Sequence, residues 1–135
     1  MYADKPDLVR RIREAMAAEQ HDAAFYAMLV DMAPAEDKDI IKHIREDEFK
    51  HYKMFSDMYT YLTGSYINVP EPDVSPPKNY KEGLASAIMG ETSAVEEYRI
   101  ILIEAPFWYM KDWLYIIVTD EQKHADRYNM LYSRA

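Results

Sequence analysis

Residues 47–51 read DEFKH and residues 120–124 read DEQKH, so a glutamate stands three places before a histidine twice: Glu48 with His51, and Glu121 with His124. On a helix, positions three apart share a face, and a carboxylate and an imidazole placed there can close on one cation. Chance would put about 0.4 such pairs in a chain with this many histidines and glutamates, so the spacing is suggestive and its surroundings decide. Two more glutamates belong to the same pattern. Glu19 precedes Tyr26 by seven residues and Glu91 precedes Tyr98 by seven, with Glu48 following Glu19 by 29 residues and Glu121 following Glu91 by 30.

The elements that would carry these residues are helices. Prolines fall where helices begin or end, and helix formers fill the rest. The reading is an all-α bundle in one domain, with helices over about 6–32, 36–62, 81–104 and 107–132 and a proline-rich crossover over about 63–80. A connection that long lets the second and third helices run parallel, whereas a short turn forces antiparallel neighbours. Setting Glu48 on Glu121 also aligns Ile41, Ile44, Phe55 and Met58 with Leu114, Ile117, Tyr128 and Leu131, so one helical hairpin is used twice.

The faces make the chemistry specific. Glu48 and His51 lie in the stripe of Ile41, Ile44, Phe55 and Met58, and Glu121 and His124 in that of Leu114, Ile117 and Tyr128. Glu19 lines up with Leu8, Ile12, Ala15 and Tyr26, and Glu91 with Leu84, Ile88, Val95 and Tyr98. Four carboxylates aimed into a core cost several kcal/mol each unless protonated or neutralised, and two divalent cations cancel a charge of −4. Carboxylates with one imidazole per metal and no sulfur suit iron or manganese better than copper; calcium and magnesium rarely recruit histidine, and zinc stays chemically admissible.

Composition removes other classes. The 135 residues contain no cysteine, so thiolate metal sites, disulfides and catalytic thiols are out. A net charge of −8 argues against nucleic acid or an anionic membrane as partner, and no apolar run suits a signal peptide or a membrane span, which makes a cytoplasmic location the expectation. His21 and His43 are expected at the surface. Glu96, Glu97 and Glu104 are expected to be solvated, and Lys50 and Lys123 to lie off the metal-facing stripe. Tyr52, Tyr59 and Tyr61 are candidates for a subunit interface, because aromatics are enriched there.

One Glu from each of two helices and Glu-x-x-His from each of two others is the ligand pattern of ferritin-like carboxylate bundles. Through AEQHDAAFY, DEFKH, MGETSAVEEY and DEQKH, over nearly its whole length, the chain resembles the rubrerythrin branch of the ferritin-like superfamily. The resemblance implies two iron ions (manganese or zinc as alternatives) on Glu19, Glu48, His51, Glu91, Glu121 and His124, with Glu48 and either Glu91 or Glu121 among the bridging carboxylates. It implies Tyr26 and Tyr98 as supporting residues that hydrogen-bond to ligand carboxylates. It further implies an oxidoreductase that reduces peroxide or dioxygen with electrons from a separate donor protein, acting as a homodimer or higher oligomer. The alternative is a ferritin-like ferroxidase or iron-storage module; a third is a bundle whose metal only neutralises the core. Two departures stand out. The cysteine-bearing rubredoxin domain is absent, and the second glutamate that rubrerythrins carry on the third helix is Ala94 here. Asp22, its repeat partner on the first helix, is a candidate outer acceptor or extra ligand.

Overall fold

The computed structural model describes residues 5–135. Four helices account for most of them: α1 (Pro6–Met32), α2 (Ala35–Thr63), α3 (Tyr80–Glu104) and α4 (Trp108–Ser133). Each boundary has a local cause. Pro6 occupies the first turn of α1, where its missing N–H is no loss. Pro34 is extended and starts α2 at once. Gly64, at φ +75°, ends α2 in the left-handed conformation that glycine adopts without strain, its N–H bonded to Thr60 O at 2.8 Å. The side chain of Asn79 caps α3 by accepting from the Glu82 N–H at 2.9 Å. Compared with the sequence reading, α2 extends one residue further at each end. Helix α4 starts one residue later, because Phe107 is extended and serves as its cap.

α1 pairs with α2 and α3 with α4, and the hairpins meet through α1 on α3 and α2 on α4. Contacts at one end give the directions. Tyr80 at the start of α3 donates to Asp37 at the start of α2 (2.7 Å), and Arg134 just past α4 reaches the same carboxylate (2.6 Å). Leu29, near the end of α1, abuts Gly83. Helices α2 and α3 are therefore parallel, and the crossover returns along the whole length of the bundle. It is tied down by the Val69 N–H on the Tyr52 hydroxyl (3.4 Å) and by Pro77 against Gly83.

The core consists of two apolar clusters. One gathers Leu8, Ile12, Phe55, Leu62, Tyr98 and Leu114; the other gathers Tyr26, Leu29, Ile41, Ile44, Leu84 and Leu131. Between them along every helix sit buried Glu19, Glu48, His51, Glu91, Glu121 and His124. Two sequence expectations need correction. On α3 the inward residues are Leu84, Ala87, Glu91, Ala94 and Tyr98, while Ile88 and Val95 lie partly outside, because small side chains face α1 where the hairpins touch. Tyr59 is buried in the chain's own core rather than available to a subunit interface; Tyr61 is exposed and packs edge-on against Phe107 and Tyr109. Among the described residues no helix is long and apolar enough to cross a membrane.

The close approach at Gly83 is testable. A Cβ there would collide with Leu29 Cδ2 and lie 3.0 Å from Pro77 Cγ. Replacing a helical glycine ordinarily favours the helix, but overpacking dominates here, so Gly83→Val is expected to cost about 1–3 kcal/mol in urea unfolding. A stability equal to or above that of the parent would show that the strap is not seated this tightly.

Candidate metal centre

The six side chains converge because each helix presents its polar residue at the same height. Glu19, Glu48, His51 and Glu121 each offer one ligand atom, all within 4.8 Å of one another, and Glu48, Glu91, Glu121 and His124 do the same. The two groups share Glu48 and Glu121. Of the alternatives for a second bridging carboxylate, Glu121 is in both groups and Glu91 in only one. All six side chains are 0–1% exposed, so water cannot compensate their charge.

The histidines are oriented from outside the cluster. His51 Nε2 donates to Asp120 Oδ2 at 2.8 Å and His124 Nε2 to Asp47 Oδ2 at 2.7 Å. The pairs are crossed: an α4 aspartate holds the α2 histidine, and an α2 aspartate holds the α4 histidine. With Nε2 held by an aspartate, Nδ1 is the nitrogen turned inward, where it can offer its lone pair to a cation once no proton occupies it. His51 Nδ1 faces Glu121 Oε1 at 2.9 Å and Glu19 Oε1 at 3.4 Å, and His124 Nδ1 faces Glu48 Oε1 at 3.2 Å and Glu91 Oε2 at 3.4 Å. Lys123 lies between the aspartates, 3.4 Å from Asp47 and 3.5 Å from Asp120. It lies off the metal-facing stripe, as its position in the repeat implied, and its charge braces the groups that orient the imidazoles.

The tyrosines are crossed in the same way. Tyr26 on α1 donates to Glu91 Oε1 on α3 at 2.6 Å, and Tyr98 on α3 donates to Glu19 Oε1 on α1 at 3.0 Å. Burial first, then the nearby carboxylates, push both hydroxyls well above their ordinary values, so they stay protonated and remain donors. Each terminal glutamate thus has one oxygen bonded and one left over.

What remains unsatisfied tests whether metal fits. Glu19 Oε2, Glu91 Oε2, both oxygens of Glu48, both of Glu121 and both histidine Nδ1 atoms are buried without a hydrogen-bond partner. Six carboxylate oxygens and two imidazole nitrogens left without a hydrogen-bond partner at one place are rare in a folded core, and each of the six residues turns at least one ligand atom to the shared centre. Burial, then the charges of Glu19 and its neighbours, drive Glu48 and Glu121 well above the usual carboxylate range in the metal-free chain. Burial opposes protonation of His51, but Asp120, Glu121 and Glu19 outweigh it and push it up to about 12. Protons are the metal-free chain's substitute for cations; oxygen and nitrogen donors in these numbers fit two divalent ions.

Asp22 lies outside both groups. Its carboxylate meets His21 Nδ1 at 3.2 Å, and burial lifts it to about 6 against the pull of His21. His21 and His43 are at the surface, and Ala94 is buried among apolar residues with no carboxylate in its place. Sequence reasoning missed Asp47 and Asp120 as supporting groups, although both stand inside the repeated strings DEFKH and DEQKH.

The architecture defines a ferritin-like four-helix fold. It superposes with a TM-score of 0.79 on a crystal structure described as ferritin like, diiron-carboxylate proteins from Bacillus anthracis str. Ames, covering 98% of this chain and 99% of that one at 20% identity. The chain itself belongs to the family of the uncharacterized protein YhjR of Bacillus subtilis (strain 168), with 30% identity over 125 residues, 92% of this chain and 86% of that protein. No family model matches it.

Two predictions follow the geometry. Glu48, Glu121 and His51 hold protons when folded that they lose when unfolded, near 4.5 for the carboxyls and 6.5 for the imidazole. Their contribution is therefore complete at low pH and lost as pH rises. Asp47 and Asp120 are desolvated yet held low by the histidines and Lys123; they act in the opposite sense, but only below about 3.8. The melting temperature of chelator-treated protein should fall from pH 5 to pH 8, and added divalent metal should flatten or reverse the slope by displacing protons. A flat profile without metal would contradict the protonated cluster. Asp47→Ala and Asp120→Ala should each weaken metal binding about 10–100-fold in competition with a chromophoric chelator; unchanged affinity would reduce the crossed pairs to packing.

Proposed function

We propose that Glu19, Glu48, His51, Glu91, Glu121 and His124 hold two iron ions and that the protein is a rubrerythrin-like oxidoreductase reducing hydrogen peroxide or dioxygen with electrons from a separate donor protein. One observation carries this reading: two buried Glu/His groups share Glu48 and Glu121, so two ions would sit side by side under common carboxylates. A bound ferrous pair supplies two one-electron oxidations at neighbouring positions, matching the two electrons that peroxide reduction consumes. Breaking the O–O bond of one hydrogen peroxide takes those two electrons and two protons and leaves two waters.

The chain's own part is to hold and exclude. Glu48 and Glu121 would be shared by both ions, and together with Glu19 and Glu91 they would supply the −4 that balances two divalent cations. Tyr26 and Tyr98 each hold one oxygen of Glu91 and Glu19, so each terminal carboxylate turns its other oxygen inward. Asp47 and Asp120 keep the imidazole lone pairs aimed at the centre. The two apolar clusters close both ends of the site against bulk water. The similarity to a solved diiron-carboxylate protein supports the choice of iron over manganese or zinc.

Protein purified without added metal is expected to carry up to two irons per chain by elemental analysis, and anaerobic ferrous loading should reach two. Addition of hydrogen peroxide should then change the near-ultraviolet spectrum within seconds. Glu48→Ala and Glu121→Ala, each removing a shared carboxylate, should lower the loading to one or fewer. Two irons retained in both variants, or a loaded protein inert to both oxidants, would sink the reading.

A further inference from the structure

A cavity of about 450 Å³ lies between α1, α3 and the crossover, bordered by Asp22 and Tyr26 from α1, Asp73 and Ser75 from the crossover, and Ser86 and Gly90 from α3. Tyr26 is only 1% exposed, so it forms the cavity's inner wall rather than its rim. The hydroxyl of that same residue donates to Glu91 at 2.6 Å. One phenol ring therefore separates the cavity from the Glu/His cluster. A larger cavity of about 770 Å³ beside Tyr80 and Arg134, and others beside Thr92 and beside Pro106, include no member of the cluster and no residue bonded to one.

From this placement, and resting on the reading above, we propose that the cavity under the crossover is the entrance by which hydrogen peroxide reaches the centre, with Tyr26 as the partition between entrance and cluster. The lining selects the chemical class. His21 also borders the cavity and pairs with Asp22 at 3.2 Å, which leaves Asp73 to disfavour anions such as superoxide. The two serines and the aspartates offer hydrogen bonds to a small neutral molecule carrying O–H groups, and Phe25, Val74 and Ala87 complete the wall. The crossover forms the roof and is anchored on one side of the cavity by Pro77 against Gly83, which keeps the opening shaped without any contact to the cluster itself.

Gly90 permits a direct test, because a Cβ built there meets nothing within 4 Å and a large side chain has room to occupy the cavity. Radiolytic hydroxyl-radical footprinting of the full chain, with zinc added so that no redox chemistry occurs at the centre, reads access to each tyrosine by mass spectrometry. Tyr26 should be labelled at least threefold faster than Tyr98, which is equally buried but borders none of these cavities. Gly90→Phe and Ser86→Phe should each abolish that difference, and Gly90→Ala should preserve it. In the iron-loaded protein the two phenylalanine variants should keep the parental metal content and slow oxidation by hydrogen peroxide at least tenfold. Equal labelling of Tyr26 and Tyr98, or variants that leave both labelling and oxidation rate unchanged, would overturn the entrance. If the labelling behaves as expected while the loaded parent ignores peroxide, the route stands and the peroxide-reducing function is what fails.

Discussion

Four carboxylates enclosed by apolar side chains set the terms for everything else in this molecule. Glu19, Glu48, Glu91 and Glu121 are 0% exposed. A core can hold that charge only if it is protonated or matched by cations, because the desolvation cost otherwise exceeds the few kcal/mol by which a domain of this size is stable. The fold does not relieve the cost with lysine or arginine: the cluster's other members are two imidazoles, each already committed at Nε2 to an aspartate. Hydrophobic burial above and below the layer supplies the stability that tolerates it. The centre is thus a local conflict with the packing, held in place by the clusters on either side.

The crossed hydrogen bonds explain how so much charge is held still. Each hairpin contributes one aspartate, one histidine, two glutamates and one tyrosine, and every supporting bond runs from one hairpin to the other. Separation of the hairpins would break four such bonds at once, so the site and the hairpin interface form or fail together. Lys123 has no such symmetry. Its single ammonium sits between both aspartates and links the two crossed pairs on the outer side of the cluster.

The residues of the buried cluster were legible because their spacing repeats. Glu48 with His51 and Glu121 with His124 stand in matched strings, and the periodicity of their apolar neighbours fixes which way each helix faces. The helix ends were equally plain, since Pro6, Pro34, Gly64 and the Ala105–Pro106 break act locally. What escaped was pairwise and tertiary. Nothing in DEFKH says that Asp47 reaches across to His124 rather than along its own helix. The α3 stripe was misread because hydropathy ranks Ile88 and Val95 above Ala87 and Ala94, whereas the buried face of α3 takes the two alanines in line with Glu91. Tyr59 was misread for the converse reason: abundance of tyrosine suggested an interface, but the cluster around Leu62 had room for one more ring.

The internal repeat is instructive where it breaks. Tyr26 packs on Tyr128 with ring centroids 5.1 Å apart, and the repeat-related Tyr98 packs on Phe55 at 5.0 Å. The two surroundings share a shape but differ in polarity. Tyr128 keeps a buried hydroxyl with no hydrogen-bond partner among the described residues, where Phe55 has only carbon. Asp22 stands beside the crossover cavity, where its counterpart Ala94 is packed among Leu8, Phe55 and Ile101. The duplicated hairpin therefore surrounds a symmetric cluster with asymmetric walls, apolar packing around Tyr98 and, on the Tyr26 side, a cavity whose lining mixes Asp22, Asp73 and two serines with Phe25, Val74 and Ala87. A small molecule with O–H groups loses less hydrogen bonding in a cavity that offers polar partners than in an apolar wall. The proposed entrance lies on the side where the repeat departs from itself in polarity, at Asp22 against Ala94 and at Tyr128 against Phe55, so the same duplication that makes the cluster symmetric leaves its two walls free to differ.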